Sequence, residues 1–357
     1  MPATETRTVL VGLSRAQLRE WVVATLGEPA YRGTQLAQWI YAKAAADFSV
    51  MTDLPAAMRT RLNECALVSP NAISATQRAK DGTVKCLLRL ADGNEVECVL
   101  LPYDDRVSVC LSTQVGCAMG CRFCATAQGG YTRNLSTGEI VDQLLHLQRL
   151  SERRITHVVL MGMGEPLLNF ENMLTALRLI HDEVGISYRR ITVSTVGIVP
   201  KIYALAEQNL PITLAVSLHA PDDETRAKIM PVNRKWGVDA LIQAARDYFE
   251  KTRRRITFEY LLLRGVNDTP EHAQQLARKL RGVPCLVNLI PFNYVPTPDG
   301  FQCPEAARVR RFRAVLESAG IETTQRIERG HDIDAACGQL RGRHLGKPIP
   351  LTVQVRG

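Results

Sequence analysis

The chain has 357 residues, of which 46% are hydrophobic and 22% charged, and its formal net charge at pH 7 is +8. This is the composition of an ordinary soluble globular protein, and no segment is apolar for long enough to span a membrane. The N-terminal segment lacks the apolar region of a signal peptide, so we expect a cytoplasmic protein without a membrane partner. The basic excess suits a polyanion such as RNA, although a basic protein without such a partner is also consistent with it.

The first two regions of the chain differ from the rest. Apolar residues at helical spacing, such as Leu36 and Trp39, and the potential N-cap Ser14 predict a small helical domain over residues 1–65. Residues 66–106 alternate between apolar and polar positions and contain two Asp-Gly turn signals, which predicts a short β-rich connector.

Residues 107–345 alternate between strand and helix patterns, and a C-terminal tail over residues 346–357 follows. Buried β runs separated by helices predict parallel strands in βαβ units. About six such units predict an α/β fold, a partial and open βα barrel. The predicted strands cover 107–112, 155–162, 190–196, 212–219, 255–263, 285–292 and 321–327, and the predicted helices cover 136–150, 171–184, 200–208, 238–252, 271–281 and 304–319.

Unusual motifs directly follow five of these strands. Because the carboxyl ends of parallel barrel strands meet at one rim, we expect the motifs to lie together there. They are the cysteine run at 117–124, MGMGEP at 161–166, STVG at 194–197, SLH at 217–219 and NLIPFN at 288–293.

Three cysteines at the spacing C-x₃-C-x₂-C are the most informative motif: Cys117, Cys121 and Cys124. Three thiolates can hold three irons of a 4Fe–4S cluster and leave the fourth iron open to a substrate. A zinc site and three unrelated thiols are the alternatives. Zinc favours four ligands, usually in two pairs, and the sequence has no second C-x₂-C pair.

The other rim residues are individually weaker signals. Gly164 would let the backbone approach a ligand, and Glu165 would accept hydrogen bonds from an amine, but a capped turn explains the pair equally well. Three further residues, Ser194, Ser217 and His219, offer groups that would bind ribose or a carboxylate, and each is alternatively a local turn residue. The amide of Asn293 would pair with an adenine edge, or serve only in a turn.

Three residues outside these motifs are candidates for catalysis. Cys337 has the small neighbours Ala336 and Gly338, which would leave its thiol room to reach an incoming group; a buried, inert cysteine is the alternative. Cys110 lies seven residues before Cys117 and is placed to face the barrel interior. Glu97 is a candidate acid or base whose alternative is a solvated strand carboxylate.

The motifs together resemble the RlmN/Cfr family of radical S-adenosylmethionine RNA methyltransferases over nearly the whole chain. The set is more similar to the adenine-C2 branch than to the C8 branch. The resemblance is carried by CLSTQVGCAMGCRFCATAQGG, VVLMGMGEPLLN, ITVSTVGIVP, LAVSLHAPDDETRAKIMPVNRK, VNLIPFN and RGHDIDAACGQL, and by GEPAYRGTQLAQWIY in the helical domain.

This resemblance implies a role for each candidate. The three cysteines at 117, 121 and 124 would ligate the cluster, and the helical domain would contact RNA. The cofactor-binding positions would be Gly164, Glu165, Ser194, Ser217, Leu218, His219 and Asn293. Cys337 would be the methyl carrier, Cys110 would resolve the protein–RNA adduct, and Glu97 would accept a proton.

The implied reaction uses two molecules of S-adenosylmethionine per turnover. The first methylates Cys337, and the second is cleaved to a radical that takes a hydrogen atom from that methyl group. The methylene carbon adds to adenine C2 of 23S ribosomal RNA or transfer RNA. Cys110 then attacks the Cys337 sulfur and releases the product, leaving a disulfide.

Two alternatives to this function remain open. One is methylation of adenine C8 by the same chemistry, which would confer antibiotic resistance. The other is a non-catalytic RNA-binding protein with a structural iron–sulfur cluster, although RNA binding alone needs neither Cys110 nor Cys337. The resemblance also implies a monomer and an electron donor such as flavodoxin.

Overall fold

The computed structural model describes residues 7–295, 299–327 and 329–340. The tail predicted over 346–357 and the last residues of the predicted barrel region lie outside these residues. None of the described helices combines the length and the apolar character that crossing a bilayer requires.

The described residues form fourteen strands and eleven α-helices. The strands are β1 (Thr8–Val9), β2 (Ala66–Leu67), β3 (Ala72–Arg78), β4 (Val84–Arg89), β5 (Glu95–Pro102), β6 (Val107–Cys110), β7 (Gln114–Gly116), β8 (Tyr131–Asn134), β9 (His157–Leu160), β10 (Ile191–Thr195), β11 (Thr213–Ser217), β12 (Ile256–Leu262), β13 (Cys285–Pro291) and β14 (Thr323–Gln325). The helices are α1 (Arg15–Trp21), α2 (Tyr31–Ala37), α3 (Ala56–Cys65), α4 (Ala125–Gln128), α5 (Thr137–Leu150), α6 (Phe170–Asp182), α7 (Val199–Glu207), α8 (Asp223–Ile229), α9 (Val238–Thr252), α10 (Pro270–Leu280) and α11 (Ala306–Ser318).

Helices α1 to α3 lie where helical spacing predicted them. Ser14 caps α1, because its hydroxyl accepts a hydrogen bond from the Gln17 N–H while the Gln17 side chain accepts one from the Ser14 N–H. Helices α1 and α2 each continue into a π-helical turn, Val22–Leu26 and Gln38–Ala42. The short strands β1 and β2 pair in parallel at the two ends of this region.

One ten-stranded sheet runs through the rest of the described chain, in the order β14-β13-β12-β11-β10-β9-β6-β5-β4-β3. The seven strands from β6 to β14 in this order are parallel neighbours, as the alternation of buried strands and helices predicted. The sheet ends at β14 and β3 and does not close. The predicted partial, open βα barrel is therefore confirmed.

The connector strands are part of the same sheet. β3, β4 and β5 form an antiparallel meander, and β5 pairs antiparallel with β6 through Val99↔Cys110 and Pro102↔Val107. This pairing places β5, which carries Glu97, beside the first barrel strand.

The barrel strands and the six predicted helices agree with the prediction to within two residues at each end, whereas the short helix α4 was not predicted. Helix α8 was not predicted, because its sequence DETRAKI has too few apolar residues for a periodic pattern. It begins at the N-cap Asp222, whose carboxylate accepts a hydrogen bond from the Thr225 N–H at 2.8 Å. The hairpin of β7 and β8 was also missed, and it carries the chain into and out of the cysteine run.

Candidate active site

A cavity that opens to solvent lies at the carboxyl ends of the barrel strands. Nine of the predicted site residues line it: Cys117, Cys121, Cys124, Gly164, Glu165, Ser194, Ser217, His219 and Cys337. The prediction that the motifs meet at one rim is therefore confirmed for the first eight of these residues, and Cys337, from outside the motifs, reaches the same cavity.

The three clustered thiols form one wall of this cavity. Gly116 precedes them at φ +75°, and a Cβ there would lie 2.0 Å from the Gly130 carbonyl oxygen. The Cys117 N–H donates to that same oxygen at 2.7 Å, which fixes where the loop begins. The Cys124 N–H donates to the Cys121 oxygen at 3.1 Å and closes the loop.

Burial raises the pKa of all three thiols. The pKa of Cys117 is raised to about 12, and those of Cys121 and Cys124 are raised as well, in each case mainly by desolvation. Thiolates held in an apolar wall need a cationic partner, and a bound metal centre supplies one. The donor set therefore fits a metal group.

The arrangement of these thiols fits a cluster better than a single ion. Ligands of one zinc ion converge to roughly 2.3 Å from it. In the described part of the chain, no three His, Cys, Asp or Glu side chains are arranged to hold one metal ion. Thiolates of a 4Fe–4S cluster each bind a different iron and need not converge in this way.

Glu165 connects the ends of two barrel strands. Its Oε2 accepts from the Val196 N–H at 2.8 Å, and its Oε1 accepts from the Leu167 N–H at 3.0 Å. Desolvation raises the pKa of Glu165 to about 7, although these hydrogen bonds act to lower it. The preceding Gly164 has φ +103°, and a Cβ there would lie 2.6 Å from the Gln114 Cβ, so packing alone requires glycine.

His219 is a buried, neutral hydrogen-bond donor. Burial, followed by the nearby charge of Arg226, lowers its pKa to about 3. Its Nδ1 accepts from the Leu261 N–H at 3.0 Å, so the proton of the neutral ring is on Nε2. The ring also packs edge-on against Phe123, with 5.1 Å between ring centroids.

Two predicted cofactor-binding residues lie outside the cavity lining. Leu218 is buried, and its carbonyl oxygen accepts from the Arg226 side chain at 2.9 Å. Asn293 is buried just after β13, next to Tyr294, whose carbonyl oxygen accepts from the Gln339 side chain at 3.1 Å. Asn293 therefore lies beside the Cys337 segment.

The segment that carries Cys337 docks against α4, which follows the clustered thiols. The Ala125 N–H donates to the Gly338 oxygen at 2.7 Å, and the Thr126 hydroxyl donates to the Leu340 oxygen at 2.6 Å. These bonds place Cys337 at the same cavity as the three thiols. Asp334, three residues earlier, has φ +52°, which marks a tight turn in the segment.

Cys110 is buried at the end of β6, close to Cys337 but outside the cavity lining. Desolvation, and then the charge of Cys337, raises the pKa of Cys110 to about 12. The Met161 N–H and the charge of Arg326 act in the opposite direction and favour the thiolate. Cys110 and Cys337 are both free thiols in this structure.

Glu97 is also buried outside the cavity lining. Its Oε1 lies 3.2 Å from the Lys85 Nζ, and its backbone N–H donates to the Met163 sulfur at 3.4 Å. The same ammonium donates to the Asp334 oxygen at 3.2 Å. A solvated strand carboxylate, the alternative considered for Glu97, is therefore wrong.

Sequence analysis missed several cavity residues, notably Arg326 and Glu259. The Arg326 guanidinium lies 3.8 Å from the Met161 sulfur, and the charge of Cys337 is the main effect that raises the pKa of Arg326. A lone carboxylate in the apolar strand RITFEYLLL was the available signal for Glu259. Arg326 follows a strand with no distinguishing pattern.

Comparison with known proteins agrees with this geometry. The Radical SAM superfamily model matches residues 111–278, and the ribosomal RNA large subunit methyltransferase N-terminal domain model matches residues 8–68. The crystal structure of a radical SAM methyltransferase from Sphaerobacter thermophilus superposes with a TM-score of 0.90 at 45% identity, covering 94% of this chain and all of that one.

Two curated relatives are similar over almost their whole length. The probable dual-specificity RNA methyltransferase RlmN of Symbiobacterium thermophilum is 51% identical, covering 96% of this chain and 94% of the relative. The probable dual-specificity RNA methyltransferase RlmN of Rhodopirellula baltica is 48% identical, covering 93% of this chain and 90% of the relative.

The open barrel with three thiols at its rim defines a radical S-adenosylmethionine enzyme, and the helical N-terminal region matches an RNA methyltransferase domain. The chain belongs to the RlmN family of radical S-adenosylmethionine RNA methyltransferases.

Proposed function

We propose that this enzyme methylates C2 of a specific adenine in 23S ribosomal RNA and in transfer RNA, through a methyl group carried on Cys337. The observation that carries the proposal is the docking of the Cys337 segment on α4, which brings a fourth thiol to the cavity of the three clustered ones. The match to a ribosomal RNA large subunit methyltransferase domain supports the ribosomal substrate, and the relatives named as dual-specificity RNA methyltransferases support a second RNA substrate.

The cavity residues fit the two groups that this chemistry requires. Cys117, Cys121 and Cys124 would hold the 4Fe–4S cluster, which when bound supplies the electron for reductive cleavage of S-adenosylmethionine. Glu165 would accept from the ammonium of that cofactor. His219 would donate from Nε2 to a ribose or adenine acceptor, and Ser194 and Ser217 would add hydroxyl groups.

Cys337 has two roles in the proposed sequence. Its sulfur first takes a methyl group from one S-adenosylmethionine. A hydrogen atom is then removed from that methyl group at the expense of a second S-adenosylmethionine, and the methylene carbon forms a bond to adenine C2. The RNA is now covalently bound to the protein through the Cys337 sulfur.

Glu97 and Cys110 would complete the reaction. Glu97 would be the base that takes the proton from C2, and its Oε1 lies 3.2 Å from the Lys85 Nζ. The unpaired electron that radical addition leaves on the adduct has to depart as well, and the iron–sulfur cluster, when bound, would accept it. Cys110 attacks the Cys337 sulfur as a thiolate, a disulfide forms, and the C–S bond to the RNA adduct breaks. The electron pair of that bond remains with the carbon, which takes a proton to become the product methyl group.

The helical region would contact the RNA. Tyr31 is 54% exposed, and the Arg32 guanidinium lies 4.8 Å from the centre of its ring. Arg32 also donates to the Asp53 oxygen, and Asp53 accepts from the Trp39 indole, so these residues form one aromatic and basic surface. Such surfaces stack on unpaired bases and bind phosphates. We further propose a cytoplasmic monomer that receives electrons from a flavodoxin-type donor.

The test is the position of the new methyl group. Anaerobically reconstituted enzyme is incubated with ribosomal RNA, transfer RNA, S-adenosylmethionine and a reductant, and the digested nucleosides are separated by mass spectrometry against 2-methyladenosine and 8-methyladenosine. We expect 2-methyladenosine in both RNAs. 8-Methyladenosine would establish the C8 alternative, and bound RNA without any methylation would establish the non-catalytic one.

A further inference from the structure

The guanidinium of Arg226 lies behind the cavity wall, with no exposed surface. Every atom that accepts a hydrogen bond from it is an uncharged oxygen. The acceptors are the carbonyl oxygens of Leu218 at 2.9 Å, Ser217 at 3.0 Å, Val196 at 2.7 Å and Trp236 at 3.3 Å, and the Asn233 Oδ1 at 3.0 Å. These bonds connect the ends of β10 and β11 to the segment after α8.

This charge has no ionic partner within the described ranges of the chain. Desolvation lowers the pKa of Arg226 to about 10, which still leaves the guanidinium charged at neutral pH. The nearby acid Asp223 accepts instead from the Val238 N–H at 2.7 Å and from the Asn233 amide at 3.1 Å. A buried cation without an anion is costly, so a group that enters the cavity is the natural source of the opposite charge.

The position of Arg226 indicates which negatively charged group would enter the cavity. Two of its acceptor residues, Val196 and Ser217, line the cavity. At the other end of α8, the Ile229 oxygen accepts from the Arg122 N–H at 3.0 Å, so the helix also supports the cysteine loop. Cys121, the neighbour of Arg122 in that loop, packs in one buried apolar cluster with Ile229 and Met230 at the end of α8.

We propose that Arg226 is a positioning residue that provides a fixed positive charge behind the iron–sulfur cluster and raises its reduction potential. The inference rests on the proposed function only in that a cluster is bound by Cys117, Cys121 and Cys124. One-electron reduction adds one negative charge to the cluster and breaks no bond in the protein. A nearby cation lowers the free energy of the more negative state, and the five hydrogen bonds hold it in place without reorganisation.

The direct test compares Arg226→Gln with Arg226→Lys. The potential of reconstituted protein is measured by redox titration with mediators and dithionite, following the electron paramagnetic resonance signal of the reduced cluster. For Arg226→Gln we expect the equilibrium constant for one-electron reduction of the cluster to fall by about tenfold or more. A tenfold fall is a shift of about 59 mV to more negative potential. Arg226→Lys keeps the charge and is expected to stay close to the wild type.

The matched control is Arg234→Gln, which removes the same charge from an exposed position in the segment after α8. Solvent screens that charge, so we expect the potential to remain unchanged. An equal loss of potential in Arg226→Gln and Arg234→Gln would indicate a net-charge effect and overturn the proposal. So would equal potentials in the Gln and Lys variants, because the role of Arg226 would then be structural.

A second variant keeps Arg226 and its bonds, in case Arg226→Gln fails to fold. The double change Asn233→Asp with Asp223→Asn exchanges an amide and a carboxylate without altering the net charge. It places an anion 3.0 Å from Arg226, so we expect a shift to more negative potential. An unchanged potential with full iron content would overturn the inference. Wild-type protein that binds no iron would instead contradict the proposed function.

Discussion

Lys85 and Glu97 form a buried ion pair between neighbouring antiparallel strands, with the Lys85 Nζ 3.2 Å from the Glu97 Oε1. The same ammonium donates to the Asp334 oxygen at 3.2 Å, in the turn that leads to Cys337. One lysine therefore joins the proposed base to the segment of the methyl carrier.

Lys85→Met is expected to remove the ammonium that joins Glu97 to the turn before Cys337. We expect RNA methylation to fall by about tenfold, because the proposed base and the segment of the methyl carrier lose the side chain that holds them together. Lys85→Arg keeps a cation at this position and should retain most of the activity. The measurement is the single-turnover rate, and an equal loss in the Met and Arg variants would mean that the cation itself has no role.

Substituting Cys117, Cys121 or Cys124 by alanine is expected to abolish the iron–sulfur cluster. Wild-type protein reconstituted without oxygen should bind about four irons per chain and show broad charge-transfer absorption. The control is Cys285→Ala, a half-buried thiol on β13 outside the cavity lining, which should retain its iron. Tightly bound zinc in place of iron in anaerobically prepared wild type would contradict the cluster.

Sequence patterns predicted the barrel because each strand is a run of apolar residues bounded by turn signals. They also predicted that motifs after successive strands share a rim, since parallel connections place all carboxyl ends on one side. The pairing of β5 with β6 was not predicted, because it depends on which strand edges are free to pair and not on local spacing. The ion pair of Lys85 and Glu97 follows from that pairing and was missed with it.

Arg226 and Arg326 could not be recognised as site residues for a similar reason. Each is a single arginine in a motif rich in polar residues, and a solvated side chain is the ordinary expectation for it. Only the packing of α8 against the strand ends buries Arg226, and only the docking of the Cys337 segment brings Arg326 beside two thiols.

The affinity for S-adenosylmethionine is expected to rise with pH through the titration of Glu165. Its pKa of about 7 means that the neutral acid dominates at pH 6 and the carboxylate at pH 8. The carboxylate attracts the positively charged cofactor, so binding should strengthen by about tenfold over this range. His219, with a pKa of about 3, stays neutral from pH 6 to pH 8 and therefore does not contribute to the pH dependence of binding.

Equilibrium dialysis of the cluster-loaded protein measures this profile. Glu165→Gln keeps an oxygen acceptor but cannot ionise, so its binding should be weak and independent of pH. The exposed Glu171→Gln, at the start of α6, should keep the wild-type slope. If the affinity of Glu165→Gln still rose steeply with pH, the titration would belong to another group.

Cys110→Ala is expected to block only the release of the product. Cys110 is buried close to Cys337 but outside the cavity lining, so methyl transfer to Cys337 and addition to the RNA do not need its thiol. The variant should therefore accumulate a covalent protein–RNA species, seen as a slow band on a denaturing gel that nuclease digestion collapses. We expect its multiple-turnover rate to fall at least about a hundredfold, the scale of removing a residue that acts directly in one step.

Two further variants make this result specific. Cys98→Ala removes a neighbouring buried thiol on β5 and should turn over normally. The double change Cys110→Ala with Cys337→Ala should show no slow band, because no carbon bridge to the RNA can form. If the band persists without Cys337, or if Cys110→Ala turns over at the wild-type rate, the thiol of Cys110 only packs in the strand and another group releases the RNA.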